Sequence, residues 1–449
     1  MEIDRTIFRA YDIRGVYGQN LTEEVAEKIG MAAGKHATGT FTVGRDFRSH
    51  GKALEDAFVS GLLKVGCDVN LVGVGPTILP VFANWIMKND VAACITGSHL
   101  TAEWNGIKLF RQDGVGFFEH ENKRLGELAA SELEAAVERG VVKELDNVEE
   151  QYIKFVKENV KPEKVKVVID FGNGAACLLV PKIIDALGNV EAVYLFDTPD
   201  ATFPNRNPEP DDESLSELKR RVVAEKADLG IAFDGDGDRV VFVDDEGKFL
   251  MPEESSVLFI RDIMKSRKGC VVANIECSSI IEEEVGKFGQ KVVRIPVGHT
   301  FLVQETKRND AVFGIEKSGH LTIPKFYWFD DAILNGMYMI ELVSKLGSKV
   351  SELRKGIPKR FFKRFKADCP DDMKGNIMDR LKEKFAAKYE NVNTMDGVRV
   401  DFADGWILMR VSNTSPMIRL SIEAKDEKRL QQLYEEFFSA LDEEVKRVA

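Results

Sequence analysis

The chain has 449 residues, 44% hydrophobic and 30% charged, with a formal net charge of −12. That length exceeds one core and predicts three or four domains of an ordinary soluble globular protein. The acidic balance argues against a dedicated nucleic-acid binder, so an anionic substrate must be drawn in by locally clustered Arg and Lys.

In chain order, TFTVGRD (40–46) predicts a strand, SHGKALEDAFVSGLLKVG (49–66) a helix and CDVNLVGV (67–74) a strand. ILPVFANWIMKN (78–89) predicts a helix before the strand VAACIT (91–96), which stops at Gly97-Ser98-His99 and a polar turn ending in Asn105-Gly106-Ile107-Lys108. After a charged stretch at 141–161 the alternation restarts: VKVVID, GAACLLVPKIIDALG, VEAVYLF, SLSELKRRVVAEK and DLGIAF. It restarts again near Glu253, with SSVLFIRDIMKS, GCVVANI, SSIIEEEVGKFG, KVVRIPV and TFLVQETKRN before AVFGIE. Such strand–helix alternation implies parallel or mixed sheets covered by helices, and three restarts imply three α/β units. The tail from Val392 reads as three strands and a long helix, an α+β unit with a hairpin turn at Asp404-Gly405. LRKGIPKRFFKRFKADCP (353–370), basic with interleaved Phe, reads as a linker entering a strand with alternating faces rather than a nucleic-acid patch.

The six cysteines are scattered without a C-x-x-C pair, as small buried hydrophobes in a reducing compartment would be. MEIDRTIFRAYDIRG carries charge and no apolar h-region, and no long apolar run occurs, so we expect a cytoplasmic protein with no membrane partner.

The sharpest motif is IAFDGDGDRVVFVDDEG. Asp234, Asp236 and Asp238 alternate with glycines that let three carboxylates converge, and so dense a charge calls for a cation. All-oxygen ligation suits Mg²⁺. An EF-hand is excluded by Arg239 at its sixth position and by strand flanks. RVSNTSPMIRL sets Arg410 and Arg419 around Ser412, Asn413, Thr414 and Ser415, a donor set suited to a dianionic phosphate. FGIEKSGHL offers Glu316 and Ser318 to sugar hydroxyls and His320 to phosphate or a proton; it lacks P-loop spacing. Arg9, Tyr11 and Arg14, with Arg45 and Arg48 of GRDFRSHG, either line an anionic pocket or make surface salt bridges.

Ser98 either caps the following segment or accepts a phosphoryl group. A neutral serine then needs a base or a metal. Neighbouring side chains diverge, so His99 is not automatically that base, and Lys108 is the better placed to reach back. Thr96 and Thr101 remain alternative acceptors. No G-x-S-x-G elbow is present, which disfavours an acyl-transfer hydrolase.

Together these residues resemble the α-D-phosphohexomutase superfamily along the whole chain. FRAYDIRG, TGSHLTAEWNGIK, DGDGDR, EKSGH and RVSNTSPMIRL follow that family's order. The resemblance implies four domains around a central cleft, three mixed α/β and a smaller α+β one, with boundaries expected at 1–148, 149–250, 251–358 and 366–449. It implies Ser98 as phosphoserine, and one Mg²⁺ held by Asp234, Asp236, Asp238 and a phosphoserine oxygen. Glu316 and Ser318 would bind sugar hydroxyls. Arg410, Ser412, Asn413, Thr414 and Arg419 would hold the non-reacting phosphate. Tyr11, Arg14, Lys108, Arg239, His299 and His320 would line the site, Lys108 and His320 moving protons.

The implied activity is interconversion of hexose 1-phosphate and hexose 6-phosphate, mannose or glucose, through a 1,6-bisphosphate, with glucose 1,6-bisphosphate or an equivalent as activator. The alternatives are a phosphoglucosamine mutase, a phosphopentomutase, or a catalytically silent sugar-phosphate-binding protein. The family's serine loop usually reads T-A-S-H-N-P. Here Gly97 replaces alanine and Leu100-Thr101 replaces Asn-Pro, removing a source of loop rigidity.

Overall fold

β-Branched and aromatic runs form the strands, and amphipathic segments between them form covering helices. The computed structural model describes residues 3–370, 372–411 and 417–447. The first sheet holds β1 (Ile13–Val16), β2 (Thr40–Arg45), β3 (Asp68–Val74), β4 (Val91–Ile95), β5 (Trp104–Arg111) and β6 (Val142–Glu144), in the order β1-β5-β4-β2-β3-β6. β2 runs parallel to β3 and β4, whereas β5 is antiparallel to both β4 and β1.

The turn expected through Asn105-Gly106 is instead the start of β5. Gly106 serves close approach: a Cβ there would stand 2.2 Å from the Ile13 carbonyl oxygen on β1. Lys108 therefore sits on a strand, opposite Cys94 of β4.

The second sheet comprises β7 (Val165–Asp170), β8 (Val190–Leu195), β9 (Leu229–Phe233), β10 (Val240–Val243) and β11 (Phe249–Leu250), ordered β11-β10-β9-β7-β8. The third holds β12 (Val271–Asn274), β13 (Val292–Ile295), β14 (Phe313–Ile315) and β15 (Leu321–Thr322), ordered β13-β12-β14-β15. The fourth, antiparallel throughout, contains β16 (Phe361–Asp368), β17 (Val392–Asn393), β18 (Val398–Phe402), β19 (Gly405–Val411) and β20 (Met417–Ala424). The basic stretch does enter a strand, β16, and β18 turns into β19 at the expected hairpin.

Some helices escape simple periodicity. GAACLLVPKIIDALG splits into a 3₁₀ turn, Ala175–Leu178, and an α-helix, Val180–Leu187, because Pro181 has no N–H to donate and fits only a first turn. The charged stretch at 141–161 contains the helix Val148–Asn159. Helix Ala332–Lys345 packs on β7, β9 and β10 of the second sheet, and helices Lys374–Lys388 and Glu427–Lys446, the latter the expected long C-terminal helix, cover the fourth. No described helix is long and apolar enough to cross a membrane.

One apolar core joins the first three units, running through Phe82, Phe171, Phe233, Phe259 and Phe313. Each such ring contributes roughly 1.5–3 kcal/mol by burial. The fourth unit has its own core around Met409, Leu420 and Phe437. Asp234 and Glu316 directly follow the carboxyl ends of β9 and β14, and Ser98 lies three residues beyond that of β4. Such strand ends are where α/β folds place ligands.

Candidate active site

β9 ends at Phe233, and the chain turns back into β10 within six residues, 234–239. Asp234 Oδ1 accepts the backbone N–H of Asp238 and Arg239 at 3.0 and 3.1 Å. Gly237, at φ +74°, completes the curl. One ligand atom from each of Asp234, Asp236 and Asp238 lies within 4.8 Å of the others. Asp234 Oδ2, Asp236 Oδ1 and Asp238 Oδ1 are buried without a hydrogen-bond partner. Buried, unpaired carboxylate oxygens facing one another are strongly unfavourable unless a cation joins them. This donor set fits a hard divalent ion such as Mg²⁺.

The titration directions match. Burial, reinforced by Asp238 and Asp236, pushes Asp234 well above the usual carboxylate range. Burial also opposes ionisation of Asp238, but Lys108, His320 and Arg239 outweigh it and hold that carboxyl well below the range.

The serine loop lies directly against this turn. Asp236 Oδ2 accepts Thr77 Oγ1 at 2.7 Å, Thr96 Oγ1 at 3.1 Å and Lys108 Nζ at 2.7 Å. Thr96 Oγ1 in turn accepts the Ser98 N–H at 2.8 Å. A Cβ on Gly235 would stand 2.4 Å from the Ser98 carbonyl oxygen, so only glycine permits this approach. Lys108 also donates to Asp238. Burial alone would favour the neutral amine, but Asp236 and Asp238 hold Lys108 protonated well above the ordinary lysine range. In this seat it is a cation paired with two carboxylates.

His99 corrects the sequence reading. Ser98 adopts φ +51°, which turns consecutive side chains toward one another and places Ser98 Oγ 3.2 Å from His99 Nδ1. Burial, with Arg239 and Arg14 nearby, pushes His99 far below the ordinary imidazole range, so it stays neutral. Thr96 is engaged by Ser98 and Asp236, and Thr101 donates to exposed Glu103. Of the three hydroxyls weighed, only that of Ser98 adjoins a neutral imidazole.

A cavity of about 650 Å³ opens beside this loop, lined by Arg9, Tyr11, Arg14, His99, Arg239 and Lys374 among others. Arg14 pairs with Asp12, and Arg9 lies over Trp104. Arg45 instead pairs with Glu55, and buried Arg48 pairs with Asp46.

From the third unit, the His299 and His320 rings stack with centroids 5.4 Å apart. His320 Nδ1 lies 2.8 Å from Asp330 Oδ2, and its Nε2 accepts Arg239 Nε at 3.1 Å. Burial favours neutral His320, but Asp238 and Asp330 outweigh it and raise its pKa. Burial lowers that of His299. Glu316 is buried, and its Oε1 accepts the Gly298 N–H at 2.6 Å and Asn274 Nδ2 at 3.1 Å. Ser318 Oγ reaches Glu316 Oε2 at 3.4 Å.

Tyr11 donates to the Val297 carbonyl, tying the first unit to the third. Asp396 accepts the Val297 N–H at 2.9 Å and Arg410 Nε at 3.0 Å, tying in the fourth. Arg410 and Arg419 face each other across β19 and β20. Ser412, Asn413 and Thr414 lie outside the described residues.

Asp330, Thr77 and Asp396 were not singled out from sequence, and His99 was weighed as the base for Ser98 with Lys108 preferred. Thr77 meets Asp236 across 159 positions, and no local pattern announces such a pairing. For His99 the signal was present, since it adjoins Ser98; the positive φ that unites the two was not.

The chain matches the families described as phosphoglucomutase/phosphomannomutase alpha/beta/alpha domains I, II and III over residues 5–136, 147–247 and 252–361. It matches the corresponding C-terminal domain over residues 365–440. A probable phosphoglucosamine mutase of Methanopyrus kandleri is 36% identical, over 96% of both chains. A phosphoglucomutase/phosphomannomutase of Thermococcus kodakarensis is 34% identical, over 98% of this chain and 99% of its own. Among solved structures, a phosphoglucomutase/phosphomannomutase family protein of Burkholderia thailandensis superposes with a TM-score of 0.90 at 29% identity, over 99% of this chain and 98% of that one. The chain belongs to the phosphoglucomutase/phosphomannomutase family, the α-D-phosphohexomutase superfamily.

Proposed function

We propose that the protein interconverts hexose 1-phosphate and hexose 6-phosphate, with mannose or glucose as the sugar, through phospho-Ser98 and a 1,6-bisphosphate. The observation that carries this reading is the Ser98–Thr96–Asp236 chain, which sets the serine loop on the carboxylate turn. The family is Mg²⁺-dependent, and Asp234, Asp236 and Asp238 would hold the ion. When bound, it offsets charge that develops on the transferring phosphoryl oxygens.

The chain's own groups supply the rest. In the first half-reaction the Ser98 Oγ–P bond breaks as a sugar hydroxyl oxygen bonds to phosphorus, and the hydroxyl proton passes to the departing Ser98 Oγ by way of His99 Nδ1. In the second, the Ser98 oxygen bonds to the phosphorus of the other phosphate as that phosphorus parts from its sugar oxygen, and neutral His99 Nδ1 relays the serine proton to the departing sugar oxygen. Lys108 contributes positive charge from its seat between Asp236 and Asp238. Arg14 and Arg239 line the path of the reacting phosphate. Glu316 and Ser318 hold sugar hydroxyls, with Tyr11, His299 and His320 walling the cleft. Arg410 and Arg419 grip the spectator phosphate with Ser412, Asn413 and Thr414.

Glucosamine phosphate is the second reading, favoured by the name of the Methanopyrus relative. A panel of mannose, glucose and glucosamine 1-phosphates, with Mg²⁺ and glucose 1,6-bisphosphate as activator, ranks the sugars by kcat/KM. Ser98→Ala should abolish turnover and the phosphate seen on the intact protein by mass spectrometry. No turnover of any sugar by the wild type would overturn the proposal.

A further inference from the structure

The Ser98 loop lacks a proline, yet one guanidinium binds it along its length. Arg48 follows β2 and is 1% exposed. Its Nε donates to Asp46 Oδ2 at 3.2 Å. Its Nη1 donates to the carbonyls of Thr101 and Trp104 at 2.6 and 3.0 Å, and its Nη2 to those of Ser98 and Leu100 at 3.0 and 2.6 Å. Every N–H of the guanidinium is thereby used. Asp46, equally buried, accepts the N–H of Arg48 at 3.0 Å and that of Gly97 at 3.3 Å. The ion pair therefore holds the backbone just before Ser98 and at four carbonyls from 98 to 104. Phe203, from the second unit, covers the guanidinium 5.1 Å from its ring centroid. Under that cover the bonds act in a low dielectric and are correspondingly strong.

Gly97 completes the arrangement. A Cβ at this position would stand 2.5 Å from Arg48 Cζ, so a side chain there and the guanidinium cannot share this seat.

We propose that Arg48 is a positioning residue for phosphoryl transfer at Ser98, oriented by Asp46 and given room by Gly97; the inference rests on Ser98 being the phosphate carrier. Ser98 is held at φ +51°, a conformation that costs a non-glycine residue roughly 1–3 kcal/mol and persists only where its surroundings impose it. The Arg48 bonds to the carbonyls of residues 98 and 100, with the Asp46 bond to the amide of 97, impose it. The proline absent from this loop is replaced by a fork of hydrogen bonds from below. Lysine cannot substitute, because a compact ammonium with three donors cannot span four carbonyls.

The test compares wild type, Arg48→Lys, Arg48→Gln, Gly97→Ala and the Gly97→Ala/Arg48→Gln double variant. Arg48→Lys is expected to lower kcat about 100-fold with KM within about twofold, the signature of a misplaced reacting group. Amide exchange across 97–104 should accelerate while that of β7 and β9 stays unchanged. Gly97→Ala should lower kcat in the native background and add little once the guanidinium is gone, a coupling that a purely global loss of stability would not produce. Native kcat and native loop exchange in both Arg48 variants would overturn the proposal. Should those variants unfold, Gly97→Ala decides, since native kcat there has the same force. A wild type that turns over no sugar phosphate would sink the activity, not the clamp, which loop exchange tests by itself.

Discussion

Lys108 Nζ lies 2.7 Å from Asp236 Oδ2, and the other oxygen of that carboxylate, Oδ1, has no hydrogen-bond partner. The ammonium thus neutralises one side of the carboxylate cluster and leaves the other for a divalent ion. Lys108→Met removes the cation and leaves Asp236 and Asp238 to repel. Breaking such a buried pair costs about 3–5 kcal/mol, so the melting temperature in EDTA should fall. Added Mg²⁺ should then raise it further than in the wild type, because the cage is more negative. Equal Mg²⁺ increments in the two proteins would show that lysine and metal do not share the cage.

His99 touches Ser98 Oγ and is held neutral by burial and by Arg239 and Arg14. A lowered imidazole pKa leaves the ring unprotonated throughout the range in which an ordinary histidine would be charged, so Nδ1 stays open to the Ser98 hydroxyl. The pH profile of kcat/KM should therefore show no acid limb from His99 near pH 6–7. His99→Phe, which keeps a flat ring, should lower kcat about 10²- to 10⁴-fold. A smaller loss would transfer the proton role elsewhere.

Tyr11 lines the cleft and donates to the Val297 carbonyl. Tyr11→Phe removes one largely buried hydrogen bond, a loss of about 0.5–1.5 kcal/mol. The expected effect is a KM rise of roughly two- to tenfold with little change in kcat. Phosphorylation of Ser98 should be unaffected. A fall in kcat at unchanged KM would contradict this.

Asp331 caps the helix Ala332–Lys345 by accepting the Leu334 N–H at 2.9 Å, and also accepts Tyr152 Oη at 2.6 Å. Burial outweighs these bonds and raises its pKa to about 6. Between the unfolded carboxyl value near 4 and that folded value, the native state binds more protons than the unfolded state. Stability from this group is therefore greatest below about pH 4, declines as pH rises to about 6 and is level above, a change of roughly 2–3 kcal/mol. Asp331→Asn should flatten that decline. Urea titrations of both proteins at pH 4 and pH 7 measure the difference, and parallel curves would refute it.

The carboxylate turn was legible because its chemistry is local: alternating glycines and acids signal convergence whatever surrounds them. The four-domain layout was legible from periodicity, as were the strand within 353–370 and the hairpin near Gly405. Asn105-Gly106 misled because the same dipeptide serves a turn or a close strand contact, and only Ile13 on β1 distinguishes them. Arg48 was left between pocket and surface, since its carbonyl partners lie about fifty positions away on an irregular loop. Lys108, expected to move protons, proved to be bracketed by two carboxylates whose distance along the chain conceals the pairing.

Asp236 receives hydroxyls from Thr77 and Thr96, so the first and second units are fastened through the very group that would carry the ion. Variation there disturbs chemistry and assembly together. Glu316, proposed to hold sugar hydroxyls, lies in the third unit and takes no part in that seam. A laboratory seeking a new substrate should leave that seam alone and diversify the far wall.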